Sequence, residues 1–231
     1  MDQTEFDLFA DNYYEQHVRN ISITGEGPEY FAEYKINALK QIADRAKLSP
    51  SRIFDFGAGI GNSIPFFRKY FPGAQIASAD VSARSLEICR ERFPDADNLL
   101  LIEEDRIPPL GELYDIVFSA CVFHHIPHDE HRHWLMELRR ITRPGGMIAI
   151  FEHNPLNPLT VRAVRTCPFD ENARLLFART LMKRLRSAGW NEGAVHYNVF
   201  FPRSLAALRP LEERLGWLPF GAQYVAVARK D

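Results

Sequence analysis

Cysteine is scarce in this chain of 231 residues, and its scarcity excludes two kinds of protein. The three cysteines, Cys89, Cys121 and Cys167, are odd in number and widely spaced. This pattern fits neither a disulfide framework nor a zinc site built from cysteine pairs. We therefore expect free thiols in a reducing compartment.

Long apolar runs and an excess of positive charge are also missing. No apolar run approaches the ~20 residues that span a bilayer, and the first residues are acidic where a signal peptide would be basic. The net charge of -2 and the pI near 6.5 provide no positive field that would attract nucleic acid. We expect a soluble cytoplasmic protein with no membrane span and no nucleic-acid partner, whose oligomeric state the sequence leaves open.

The chain does contain enough apolar residues, 46% of the total, to bury one substantial core. From Arg52 onward, short apolar runs alternate with amphipathic stretches, which is typical of a parallel sheet with crossover helices. Strands are predicted at residues 53–56, 75–79, 98–102, 114–120, 147–151, 195–201 and 223–228. Helices are predicted at residues 30–46, 62–70, 83–92, 129–141, 173–188 and 204–215.

Two further features complete the predicted organisation. The run Arg143-Pro144-Gly145-Gly146 is predicted to end a helix and to turn the chain into the fifth strand, because proline cannot continue a helix and glycine accepts a positive φ. Residues 1–50, which are rich in aromatic and acidic side chains, are expected to form an N-terminal helical cap. Residues 51–231 are expected to form the main α/β unit, and the whole chain one domain.

A glycine-rich turn, Gly57-Ala58-Gly59-Ile60-Gly61, follows the first predicted strand. Glycine has no Cβ, so the backbone of such a turn can pass close to a ligand. The usual dinucleotide motif is G-x-G-x-x-G, with its glycines placed for a pyrophosphate, but Asn62 occupies its last glycine position here. The turn therefore indicates a nucleotide-like ligand without identifying it.

Three carboxylates, each after a successive strand, narrow the choice of ligand. Asp55 would repel a phosphate but suits the amino group of an amino-acid cofactor. Asp80, about 20 residues beyond the turn, can accept hydrogen bonds from both ribose hydroxyls. Asp105 can accept from an adenine amino group. Any one of them alone would more commonly be a solvated residue or a helix N-cap, but the ordered set indicates an adenosine-containing amino acid.

The segment Ile53 to Gly61 resembles the first motif of the class I S-adenosylmethionine-dependent methyltransferases. Residues 78–82, 114–119 and 138–150 resemble later motifs of that family, in order and at family spacing. The resemblance covers about residues 50 to 152. It implies a doubly wound, Rossmann-like sheet of seven strands with an antiparallel last strand, helices on both faces, and S-adenosylmethionine across the carboxyl ends of the first strands.

The resemblance also implies which residues hold the cofactor. Asp55, Gly57 and Gly59 would hold the methionine end, Asp80 and Val81 the ribose and adenine, Asp105 and Arg106 the adenine edge, and Ser119 and Ala120 the sulfonium neighbourhood. Further candidates for the cofactor site are Ala58 and Asn62 in the turn and Tyr14, with Tyr13 as its alternative, in the cap.

Methyl transfer requires alignment of a nucleophile and, for many acceptors, removal of its proton. The candidate bases are His124 and His125 after the fourth strand and His153, with Glu152, after the fifth. No metal site is expected, and His128, His131 and His133 are interpreted as surface or helix-end residues. Pairing of an anionic substrate with Arg162, Arg165 and Arg174 is a weaker hypothesis.

The expected activity is methyl transfer by in-line displacement to a small-molecule acceptor or to one from a glycan or lipid pathway. Two alternatives remain open. One is a nicotinamide-dependent oxidoreductase, which rests on the glycine-rich turn and Asp80 but is weakened by Asp55 and Asn62. The other is a non-catalytic module that keeps a cofactor pocket, since the sequence assigns no proton-transfer residue.

Overall fold

The computed structural model describes residues 18, 21, 24–96, 98–109, 111, 113–167, 170 and 172–231. Seven strands form one sheet in the order β3-β2-β1-β4-β5-β7-β6. Their bounds are β1 Arg52–Phe56, β2 Gln75–Asp80, β3 Leu99–Leu101, β4 Tyr114–Ala120, β5 Thr142–His153, β6 Asn191–Asn198 and β7 Gln223–Arg229. The helices among the described residues are α1 Pro28–Arg45, α2 Ile64–Tyr70, α3 Ala83–Arg92, α4 His131–Ile141, α5 Pro158–Arg165, α6 Ala178–Ser187 and α7 Glu212–Leu215, and the last follows a 3₁₀ segment, Arg203–Leu211.

The strand directions confirm the predicted sheet. Strands β1 to β5 pair in parallel, whereas β7 lies antiparallel between β5 and β6. Parallel neighbours need long crossovers, and helices occupy those connections here. The chain order reverses at β1, with β2 on one side and β4 on the other, and such a switch point is where open α/β sheets bind ligands.

Helices cover both faces of the sheet, as predicted. On one face Trp134 of α4 and Leu181 of α6 pack with the sheet side chain Phe54, and on the other Leu39 of α1 packs with Ile53. Successive residues of a strand point to opposite faces, so Ile53 and Phe54 enter different halves of the core. Complete burial of one such side chain contributes roughly 1.5–3 kcal/mol.

The expected turn at Arg143 to Gly146 is wrong in one respect. Helix α4 ends at Ile141 and strand β5 begins at Thr142, so these four residues lie within the strand. Gly145 does have a positive φ, and its N–H donates to the Lys230 carbonyl while the Lys230 N–H donates to Gly146. Pairing with the far end of the chain therefore extends β5, and a local reading of the sequence does not reveal that pairing.

Helix α5 was not among the predicted helices, although the sequence carries a signal for it. The side-chain oxygen of Asn157 accepts hydrogen bonds from Leu159 and Thr160, and Pro158 occupies the first helical position. An N-capping Asn followed by Pro is a recognised helix start.

Among the described residues, no helix is both long and apolar enough to span a membrane.

Candidate functional site

The glycine-rich turn leaves the end of β1 and leads to α2. Gly57, Gly59 and Gly61 all have positive φ, the left-handed region that glycine adopts without strain. The N–H groups of Gly57 and Ala58 donate to the Ala79 carbonyl at 2.8 and 3.0 Å, which fastens the turn to β2. A Cβ at Gly57 would collide with Val122, whereas one at Gly59 would enter open space. The turn is thus packed on one side and open on the other.

Asp80 at the end of β2 holds the same turn from the neighbouring strand. Its carboxylate accepts hydrogen bonds from the N–H of Gly59 at 2.7 Å and from the N–H of Ser82 at 2.9 Å. The side chain therefore has a structural function in addition to the ribose contact predicted for it.

Asp55 at the end of β1 has a buried carboxyl group with one oxygen that lacks a hydrogen-bond partner among the described residues. Only 2% of the residue is exposed, and this oxygen is Oδ2. Burial, with the charge of Asp80 added, raises the pKa of Asp55 to about 8. A cationic group placed against Asp55 would donate a hydrogen bond to Oδ2 and would lower the pKa of the carboxyl group.

A cavity of about 380 Å³ opens at this edge of the sheet. It is lined by most of the residues predicted for the cofactor and the chemistry, namely Asp55, Gly57, Ala58, Gly59, Asn62, Asp80, Val81, Ala120, His124, His125 and His153. Because they follow β1, β2, β4 and β5, the parallel strands bring them to one place.

Three other predicted cofactor residues that the structure describes are not among those that line the cavity. Ser119 is fully buried in β4, and its hydroxyl has no partner within the described part of the chain. Asp105 and Arg106 are exposed after β3, where Ile102 reaches the cavity instead. Tyr14 and its alternative Tyr13 lie outside the described residues. A cofactor contact for these residues stays a prediction.

His124 belongs to a buried polar chain. Its Nδ1 lies 2.6 Å from Glu152 Oε2, and burial is outweighed by Glu152 and Asp170, which raise the pKa of His124 well above its ordinary value. Although burial opposes ionisation of Glu152, the neighbouring His124 lowers its pKa, so the carboxylate accepts and Nδ1 donates. The N–H groups of Val122 and Phe123 donate to the other oxygen of Glu152, which fixes the carboxylate.

Asp170 lies on the opposite side of this histidine pair. Its Oδ1 is 3.5 Å from His124 Nε2 and 3.3 Å from His125 Nε2. Burial and the neighbouring His124 lower the pKa of His125, so His125 is neutral at pH 7. Sequence reasoning did not identify Asp170 as a partner of the histidines, since it follows α5, far from them along the chain.

His153 forms a second pair, with Cys121. The imidazole is hydrogen-bonded to the thiol, and despite burial, which favours the neutral thiol, the charge of His153 lowers the pKa of Cys121 to about 7. Cys121 has φ 59°, an unusual conformation for a residue other than glycine. The turn after β4 thus directs this thiol towards the cavity that His153 also lines.

The outer wall of the cavity includes side chains that were not named as site residues from the sequence. Helix α1 contributes Tyr30 and Lys35, helix α5 contributes Thr160, and the connection after β6 contributes Phe200. The aromatic composition of the first fifty residues was the available signal, and the structure turns the start of α1 towards the cavity.

The cations of the cavity are also not those expected. Arg162, Arg165 and Arg174 are absent from its described lining, which instead contains Lys35 and Arg209. Arg209 forms an ion pair with Glu26 at 2.7 Å, whereas no ion pair or side-chain hydrogen bond of Lys35 is found within the described ranges. The charge of Lys35, together with that of His153, acts on the Cys121 thiol. Lys35 therefore offers its charge to the cavity.

One of the histidines interpreted as a surface or helix-end residue is buried. His131, the first residue of α4, is fully buried, and its Nε2 lies 3.0 Å from the Ile126 carbonyl. Burial lowers its pKa to about 4, so it remains neutral at physiological pH. Its function is to support the turn before α4, because a buried carbonyl needs a donor.

Comparisons with known proteins agree with this geometry. Residues 54–148 match a family model described as a methyltransferase domain. Trans-aconitate 2-methyltransferase of Azoarcus sp. (strain BH72) is 27% identical over 175 residues, which cover 75% of this chain and 65% of the relative. The matched part of the chain thus spans less than two thirds of the length of this curated relative.

Two solved structures resemble nearly the whole chain. One is a S-adenosylmethionine-dependent methyltransferase of Thermotoga maritima, described as a possible histamine N-methyltransferase, with a TM-score of 0.67, 19% identity and 99% coverage of both chains. The other is the plantazolicin methyltransferase BpumL in complex with S-adenosylhomocysteine, with a TM-score of 0.66, 15% identity and coverage of 99% of this chain and 96% of that one. At these identities the likeness concerns the fold.

Proposed function

We propose that the chain is a class I S-adenosylmethionine-dependent methyltransferase and that it methylates a small acceptor molecule that carries an anionic group. The observation that carries this proposal is the single cavity in which the glycine-rich turn, the unpartnered carboxyl of Asp55 and the histidines meet. One half of that cavity suits the cofactor, and the other suits an acceptor.

The residues present fit the proposed cofactor. Its methionine ammonium would supply the cation that Asp55 lacks, and its ribose would meet Asp80, whose position at the end of β2 suits a diol. The open side of Gly59 leaves room for the ligand against the backbone. When bound, S-adenosylmethionine supplies a methyl group activated by its sulfonium.

Lys35 and the aromatic wall define the proposed acceptor. The side chains of Tyr30 and Phe200 offer an apolar surface, and Lys35 presents a positive charge. An acceptor with a carboxylate or phosphate near an apolar or hydroxylated body would satisfy both. The curated relative from Azoarcus sp. is itself named for an organic anion.

We assign proton removal to His153 in its neutral form. Burial favours that form, although the neighbouring Cys121 outweighs burial and raises the pKa of His153. His153 lines the cavity at the end of β5, next to the carboxyl end of β4, and it is only partly exposed. In-line displacement asks the protein to align the acceptor atom and to accept its proton. His124 and His125 face the same space, where carboxylates orient them.

A labelled-methyl screen tests the activity and the acceptor class together. Purified protein with methyl-labelled S-adenosylmethionine is offered carboxylates, phosphates, neutral alcohols, amines and lipid-linked acceptors, and S-adenosylhomocysteine formation is measured. We expect turnover with small anionic acceptors, and Lys35→Gln should remove the preference for them over neutral analogues. Failure of S-adenosylhomocysteine to bind by calorimetry would contradict the proposal, and turnover confined to lipid-linked acceptors would contradict the acceptor class.

His153→Asn should lower turnover by about 10²–10⁴-fold, the range for loss of a general base. The dissociation constant for S-adenosylhomocysteine should change by less than about threefold, because the base does not hold the cofactor. His196→Asn is the matched control, since His196 lies on β6 and is not among the residues lining the cavity. Equal losses of turnover and cofactor affinity would assign His153 a structural function instead.

A further inference from the structure

Three side chains at the wall of the cavity bring potential metal ligands together. They are His124 and His125 from the turn after β4, and Asp170 from the segment after α5. One ligand atom of each lies within 4.8 Å of the others. His124 is 1% exposed, and the side chains of His125 and Asp170 are 12% and 4% exposed.

The distances within this group suit a shared ion better than direct hydrogen bonds. The Oδ1 atom of Asp170 is 3.5 Å from His124 Nε2 and 3.3 Å from His125 Nε2. Charge-assisted hydrogen bonds from nitrogen to a carboxylate are shorter, about 2.7–2.9 Å. Two ligand atoms that are each ~2.1 Å from one tetrahedral ion lie about 3.4 Å apart.

Glu152 orients His124 as an outer carboxylate does in many metal sites. It accepts the Nδ1 proton of His124 at 2.6 Å and is itself held by the N–H groups of Val122 and Phe123. With Nδ1 engaged, Nε2 is the ring nitrogen that faces Asp170, and a metal ion would bind there in place of the Nε2 proton. Such carboxylate–histidine pairs fix the tautomer and the ring orientation of metal ligands.

Charge balance also favours a divalent cation. Glu152 and Asp170 place two carboxylates in a buried cluster. A doubly charged ion held between the histidines and Asp170 would balance both of these charges. Buried charge that is not compensated is costly, so a divalent ion stabilises the arrangement.

We propose that His124, His125 and Asp170 bind one divalent first-row transition-metal ion, with Zn²⁺ as the reference case. Two imidazoles and one carboxylate suit Zn²⁺ or Fe²⁺ and are a poor set for Mg²⁺, which prefers oxygen. The sequence analysis expected no metal, because the ligands do not show the spacing of a sequence motif.

The proposed ion has a free coordination position. All three ligand residues line the cavity, so the position opposite them faces the acceptor half. There the ion would bind an acceptor oxygen and make a hydroxyl at that position more acidic, which would help His153 to remove the proton. This use rests on the proposed methyl transfer, whereas binding of the ion does not.

Metal binding is tested on the whole protein, first freed of metal by chelation. Zn²⁺ is titrated by calorimetry, Co²⁺ is titrated by visible absorption, and Mg²⁺ serves as the negative probe. We expect one equivalent of Zn²⁺, a four- or five-coordinate Co²⁺ spectrum and no binding of Mg²⁺. His125→Asn and Asp170→Asn should each weaken Zn²⁺ binding by at least about 100-fold, and Glu152→Gln by about 10–100-fold.

The controls keep the outcome unambiguous. His196→Asn, on β6, should bind Zn²⁺ like the unaltered protein, and S-adenosylhomocysteine binding shows that each variant is folded. No Co²⁺ spectrum in the unaltered protein, or Zn²⁺ affinity unchanged by Asp170→Asn, overturns the proposal. Cofactor binding without metal binding refutes this inference alone, whereas metal binding without methyl transfer to any acceptor refutes only the proposed function.

Discussion

At the scale of single residues, Asp55 lowers the stability of the ligand-free protein but provides a contact for the proposed cofactor. Its carboxyl is buried beside Asp80, with one oxygen unpartnered among the described residues and its pKa raised to about 8. Asp115 is equally buried, but its carboxylate accepts hydrogen bonds from the N–H groups of Ser51 and Arg52. Asp55 thus has the features of a carboxyl group that binds a ligand, whereas Asp115 has those of a carboxyl group that stabilises the fold.

Asp55→Asn should stabilise the ligand-free protein and weaken the cofactor. The folded-state pKa lies above the unfolded value, so the stability contributed by Asp55 is complete below about pH 4 and is lost as the pH rises through about 8. The gain for Asn should therefore be absent at pH 4 and reach about 1–3 kcal/mol at pH 8, measured by urea unfolding. Calorimetry should show S-adenosylhomocysteine binding weakened at least about tenfold, since a charge-assisted hydrogen bond is lost.

Asp115→Asn provides the contrast. It removes an anionic acceptor from donors that are already in place, so it should destabilise the protein without a direct effect on cofactor affinity. Destabilisation by Asp55→Asn at pH 8, as large as that from Asp115→Asn, would show that Asp55 has a structural partner and is not kept for a ligand.

At the scale of elements, the buried carboxylate of Glu212 connects helix α1 to the segment that follows β6. Glu212 of α7 accepts a hydrogen bond from the Tyr34 hydroxyl of α1 at 2.7 Å. It also accepts the N–H groups of Phe200 and Phe201 at 3.0 Å each. Burial and the Glu212 charge raise the pKa of Tyr34, so the hydroxyl keeps its proton and remains a donor. Helix α1 and the connection after β6 are therefore fastened together where they enclose the acceptor half.

Tyr34→Phe should loosen this connection and leave the cofactor half unchanged. A hydrogen bond to a charged acceptor contributes about 1.5–3 kcal/mol, so amide exchange at residues 199–201 should accelerate by about tenfold or more. KM for the acceptor should rise while the dissociation constant for S-adenosylhomocysteine stays the same. Tyr70→Phe, which removes a hydroxyl bonded to Glu33 of α1 away from the cavity, is the control and should not alter exchange there. Unchanged exchange in Tyr34→Phe would mean that the hydroxyl does not restrain the wall.

At the scale of the molecule, the position of the cavity depends on the sheet. The strands whose ends line the cavity also carry the side chains that form the core on both faces of the sheet. Adjacent residues of β1 enter the two halves of the core, and the ends of the same strands carry the ligand contacts. Binding at that edge should therefore stabilise the folded state as a whole.

S-Adenosylhomocysteine at about 100 times its dissociation constant should stabilise the protein by about 2.7 kcal/mol. For a chain of this size, that raises the unfolding midpoint by about 5–10 °C in a thermal scan. NAD⁺ at the same concentration should give no shift, because its pyrophosphate would meet the carboxyl of Asp55. A shift with NAD⁺ and none with S-adenosylhomocysteine would instead support the nicotinamide alternative.

The sequence by itself predicted the sheet and the glycine-rich turn, and it showed the resemblance to a family. The runs at β1, β2 and β4, the glycines 57, 59 and 61, and the carboxylates that follow successive strands are local patterns, so no knowledge of distant contacts was needed. One error lies where a remote residue intervenes, since Lys230 extends β5 across Gly145 and Gly146. Another is the missing helix α5, whose local signal, Asn157 followed by Pro158, was overlooked.

Only the tertiary structure decided the composition of the other half of the site. Lys35, Asp170 and Arg209 lie far apart in the chain and follow no common spacing, yet folding places all three at one cavity. The burial that unites them also determines their charge states and their partners. A sequence motif contains only residues that are close together in the chain, near the end of one strand. The acceptor half of the pocket is formed by segments that are remote in sequence and that meet only in the folded protein.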